Sequence, residues 1–107
     1  MANSQTVAYA KFAGVLGSGE HIIVEATVGL PYRRSEDEWA CPISLTPLHA
    51  KLHDIVGADS LQALCLGLST LFQLLNGFVE SGGRLELASG DPVPFEAYWR
   101  KGGSDAV

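Results

Sequence analysis

The chain is poor in the residues from which disulfide frameworks, metal centres and nucleic-acid surfaces are built. Two cysteines occur in 107 residues, Cys41 and Cys65, with no CxxC spacing. That is too few for a disulfide framework, and both read as buried free thiols acting as small apolar groups. Basic residues are scarce as well: 7 Lys+Arg stand against 12 Asp+Glu, for a net charge of −5. Nucleic acid and anionic membrane surfaces call for a basic patch, so neither is expected as a partner. No basic residue precedes Lys11 and no sustained apolar run opens the chain. A secretory signal is therefore not expected, and the expected compartment is the cytoplasm.

Charge is also missing from residues 60–79, a stretch with the length of a membrane span. Gln62, Ser69, Thr70, Gln73 and Asn76 interrupt it, mostly on one side of a helical wheel. A lipid-facing helix is apolar all round, so a helix packed on a protein body is expected instead. No internal repeat, heptad array or low-complexity block is present.

What the chain does have is an ordinary hydrophobic fraction, 47%, with 18% charged residues. That suits one globular domain over 1–107, with a core at about 5–99 and a flexible tail at 100–107. Residues 5–16 and 21–30 read as two strands joined by the Gly17-Ser-Gly-Glu20 hairpin loop. In the second, Ile22, Val24, Ala26, Val28 and Leu30 alternate with Ile23, Glu25, Thr27 and Gly29, the period of a half-buried antiparallel strand. The first alternates less cleanly and its inward face stays open. A third strand over 39–46 points Trp39, Cys41, Ile43 and Leu45 one way; Pro42 places it at an edge or a bulge. Residues 48–56 read either as extended chain or as a short helical turn.

Asp59-Ser-Leu-Gln62 has the form of a capping box, with the Asp carboxylate receiving first-turn N–H groups and the Gln reaching back. Leu61, Leu64, Cys65, Leu68, Leu71, Phe72, Leu75 and Val79 then follow at helical intervals, a stripe wide enough to cover a sheet. Ser81-Gly82-Gly83 stops the helix. A last strand over 84–88 turns Leu85 and Leu87 inward. The aromatic tail, Phe95, Tyr98 and Trp99, is placed to dock back on the body. The expected fold is a two-layer α+β domain, an antiparallel β-β-β-α-β sheet with one long helix packed on one face.

At Gly57-Ala-Asp-Ser-Leu-Gln-Ala-Leu64, Trp39-Ala-Cys-Pro42 and Ser81-Gly-Gly-Arg-Leu85 the chain resembles a family of small bacterial proteins of unknown function. In that family a β-meander ending in a Cys-Pro strand leads into a helix opened by Asp-Ser-x-Gln-Ala-Leu. The resemblance spans about residues 20–95 and implies the fold; it implies no activity, catalytic residue or cofactor.

Candidate chemistry is thin. His49 and His53 lie four apart, a spacing that binds zinc on a helix, with Cys41 or His21 able to complete the set; two solvated loop histidines is the other reading. Gly14-Val-Leu-Gly-Ser-Gly19 has the glycines of a phosphate loop but leads into a strand, where a phosphate loop opens a helix. No serine sits in a Gly-x-Ser-x-Gly elbow, and Glu25 and Glu86 fall on outer, wet faces that do not suit acid–base work. No enzyme activity and no cofactor are expected. Arg33, Arg34, Glu36 and Asp37, with Trp39 beside them, form a mixed-sign loop suited to partner contact. The uncharged back of the helix, Gln62, Ala63, Gly67, Thr70, Gln73 and Asn76, is expected to be covered by the tail or by a second copy in a homodimer. The expected function is a non-catalytic module that binds another protein, of the immunity or accessory type; the alternative is a small-molecule or metal-binding domain using His49, His53 and Cys41.

Overall fold

The computed structural model describes residues 5–94 and Tyr98. β1 (Thr6–Val15) and β2 (His21–Gly29) form the expected antiparallel hairpin, with Phe12 opposite Val24 and Ala10 opposite Ala26. Gly19 takes φ 96° in the loop, the left-handed region that glycine enters without a Cβ clash. A register shift between Thr6 and Ala8 blurs the alternation at the start of β1. From there Ala10, Phe12 and Gly14 turn inward, while Tyr9 and Lys11 face out.

The third strand divides. β3 (Tyr32–Ser35) pairs with β4 (Glu38–Cys41), Pro42 interrupts, and β5 (Ile43–Thr46) continues on β2. Pro42 has no N–H to donate, but its carbonyl accepts from Gly29 N–H at 2.8 Å. The chain thus changes sheets at the proline. β6 (Ile55–Gly57) joins the other side of β4, and β7 (Arg84–Glu86) joins β1. Two antiparallel sheets result, ordered β5-β2-β1-β7 and β3-β4-β6, where a single sheet was expected. The architecture is α+β, with the helix α1 (Ser60–Glu80) laid on the sheets.

Helix α1 begins as the capping box requires: Asp59 Oδ1 accepts from Gln62 N–H at 2.8 Å. Gln62 Oε1 reaches back one residue further than expected and accepts from Ala58 N–H. At the far end Gly82 N–H donates to the Val79 carbonyl and Gly83 N–H to that of Phe78, with Gly82 at φ 112°. This paired closure is a Schellman motif, and it satisfies carbonyls the helix cannot. Ser60–Glu80 is long and apolar enough to cross a membrane by length and composition; in the fold one of its faces is sealed on the sheets.

One core gathers Phe12, Val24 and Val28 with Cys41, Ile43 and Leu45 from the strands, and Leu71 and Leu75 from the helix. After β7 the chain folds back: Leu87 N–H donates to Asp91 O, and Val93 N–H to Leu85 O. Val93 is thereby buried.

Candidate functional site

The charged loop is engaged with itself. Arg33 donates from Nε to the Ser35 carbonyl at 3.1 Å and from Nη2 to the Glu36 carbonyl at 3.0 Å. Arg34 faces Glu38 at 3.7 Å. Glu36 and Asp37 form the exposed turn, and Trp39 is half-buried against the core. The arginine bonds shape the hairpin tip, and the Glu36 and Asp37 side chains are exposed on it. Tyr32 ties the hairpin to the following loop, donating to Asp54 Oδ2 at 2.5 Å, and that bond holds its phenol pKa above the ordinary value.

The histidine set does not converge. Zinc binding at His49 and His53 needed a helix; the segment is instead a bridge of His49 to Leu45 followed by irregular chain. The two imidazoles line separate depressions, one with Phe78 and one with Lys51. Cys41 is fully buried, its thiol lying 3.7 Å from the Gly29 carbonyl, and burial pushes its pKa up. Among the described residues no three His, Cys, Asp or Glu side chains are grouped to hold a metal.

The helix corrects the sequence reading most. Its sealed face is Ala63, Gly67, Leu71 and Leu75. Gly67 and Ala63 therefore do not belong to an exposed back; Gln62, Gln73 and Asn76 do, with Thr70 half-buried. Leu61, Cys65 and Val79, expected inside, are exposed, Leu61 to 69%. The reason is close approach. A Cβ on Gly67 would lie 3.0 Å from Cys41 Sγ, and one on Gly57 only 2.5 Å from Ala63 N. Small residues let the helix backbone sit down on β4 and β6, and leucines there would hold it off. The rest of the apolar stripe, beyond Leu71 and Leu75, is consequently rolled toward one edge of α1.

That edge overhangs an apolar groove. Leu68, Leu71, Phe72 and Leu75 form its roof; Ala8, Ala10, Ala26 and Val28 form its floor on β1 and β2. Between them lies a cavity of about 200 Å³. Tyr98 also lines the groove, its ring centroid 6.3 Å from Phe12 at 89° and 6.2 Å from Phe72. The aromatic tail therefore does dock through Tyr98; Phe95 and Trp99 lie outside the described residues. Among the described lining residues the only ionisable groups are the phenols of Tyr9 and Tyr98. The lining of this groove is thus predominantly apolar. The sequence reading missed this groove. Its signals were the alanines at 8, 10 and 26 and the Ala63/Gly67 pair four apart, which mark where backbones approach or volume is left.

An α+β domain with a helix lying over an apolar groove is the class the fold and site define. The chain belongs to the family described as a domain of unknown function (DUF6968), whose model matches residues 15–96. No match was found among curated proteins or among solved structures.

Proposed function

We propose that the protein is a non-catalytic module that binds another protein, and that the groove beside α1 is where contact is made. One observation carries the reading: the helix leaves an apolar edge, Leu61, Cys65 and Leu68, only partly covered, and it runs beside the groove. Exposed apolar surface next to a concavity is a mark of interaction sites, because covering it releases water at little polar cost. The partner is a second protein or a second copy of the chain, and the setting we propose is the bacterial cytoplasm. With a net charge of −5, a partner presenting basic residues around an apolar centre suits this surface best. An immunity-like or accessory role fits a small acidic domain of this kind.

The test compares affinity capture by the wild-type chain and by Leu61→Glu. The proposal expects a protein, or the chain itself, to be retained by the wild type and lost from the variant at unchanged thermal midpoint. Identical recovery by both chains, or no recovery by either, contradicts it.

A further inference from the structure

We infer that the depression between His49 and the last two turns of α1 binds a small organic amine, an ammonium group carried on an apolar body. It shares no lining residue with the groove and stands independently of the protein-binding reading. Space is the first argument. The cavity holds about 370 Å³, within the roughly 300–1,000 Å³ typical of small-molecule sites. Leu48, Leu74 and Phe78 wall it, half-buried and packed against the core. Gly77 lies among them, and a Cβ there would meet nothing within 4 Å.

The second argument is that the polar lining accepts hydrogen bonds more than it donates them. Ser81 Oγ spends its hydrogen on the Phe78 carbonyl at 2.9 Å, and Gln73 turns its amide nitrogen to Ser69 Oγ at 3.3 Å. That leaves the Ser81 lone pairs and Gln73 Oε1 for a donor. The His49 imidazole has no hydrogen-bond partner among the described residues and adds an acceptor nitrogen. The third argument is charge. This end of α1 is the negative pole of the helix, and its last turn holds no basic residue. Glu80 is exposed there and makes no ion pair among the described residues. A ligand that brings N–H donors and positive charge is the complement of such a site. An anion meets the wrong pole, and a neutral apolar molecule leaves the acceptors unmatched. The Phe78 ring adds cation–π attraction for ammonium.

The experiment titrates the full chain with phenethylamine, phenethyl alcohol and hydrocinnamate, which share one aryl-ethyl body and differ in charge. Amide NMR signals of Leu74, Gly77 and Ser81 report the site. The expected result is saturable shifts with the amine, bound roughly five-fold tighter than the alcohol, and none with the carboxylate. Gln73→Glu tightens the amine roughly three-fold, and Gln73→Lys weakens it by as much. Gly77→Leu, a helix-favouring change into open space, fills the cavity and abolishes the shifts. If that variant fails to fold, the two Gln73 variants decide. The inference is overturned by no saturable shift with the amine, by equal affinity for amine and alcohol, or by saturable binding of the carboxylate. Shifts confined to other residues, amine binding that survives Gly77→Leu, or indifference to both Gln73 variants overturns it equally. None of these outcomes touches a partner lost with Leu61→Glu, so the two proposals fail separately.

Discussion

Tyr32 carries the clearest electrostatic consequence in the chain. Its hydroxyl donates to Asp54, and that bond, with some burial and the carboxylate charge, outweighs nearby Arg34 and raises the phenol pKa. A raised pKa means the folded state prefers the protonated phenol more than the unfolded chain does. The stabilisation is fully present below the ordinary tyrosine value of about 10 and is lost as pH rises through the folded one. Tyr32→Phe should therefore lower the thermal midpoint by about 1–3 °C at pH 7–9, a small effect because the pair is exposed. The difference should shrink toward zero above pH 10. A difference constant from pH 8 to 11 contradicts the assignment. The two cysteines show how far single residues are legible. Both are apolar enough to be read as buried, but Cys41 faces the core while Cys65 lies on the open edge of α1. The sequence around Cys65 places it among leucines; only the angle at which the helix sits decides whether those leucines are covered.

At the scale of elements, strong local signals gave reliable structure. β1 and β2 follow from a two-residue period and a glycine loop; α1 follows from its caps at Asp59 and Gly82. β3 and β6 carried no such signal. Tyr32–Ser35 is exposed at every position and has no apolar alternation, and Ile55–Gly57 is three residues long. Both exist because β4 lies between them, a nonlocal cause that no periodicity records. Pro42 was legible as an irregularity, and the switch of sheets is how the fold accommodates it. The tightest joint between elements is β6 on α1. Gly57→Ala places a methyl 2.5 Å from Ala63 N and 2.9 Å from its Cα, backbone atoms that cannot yield. We expect a loss of about 2–4 kcal/mol in urea unfolding. Gly77→Ala, which meets nothing within 4 Å on the same helix, should gain about 0.5–1 kcal/mol. Equal stability of Gly57→Ala and the wild type contradicts the close approach.

For the molecule as a whole, the fold class was readable and the candidate site was not. A site made of absent volume belongs to no residue: the groove exists because alanines on β1 and β2 face an overhanging helix. The central claim is accordingly the rotation of α1, which seals Leu71 and leaves Leu61 in water. Introducing glutamate at each position and recording thermal unfolding tests it directly. Leu61→Glu should keep a cooperative transition within roughly 3 °C of the wild type, as exposed substitutions do. Leu71→Glu buries a carboxylate in the core and should abolish the cooperative transition. Unfolding by Leu61→Glu, or tolerance of Leu71→Glu, contradicts this orientation of the helix and the groove that depends on it.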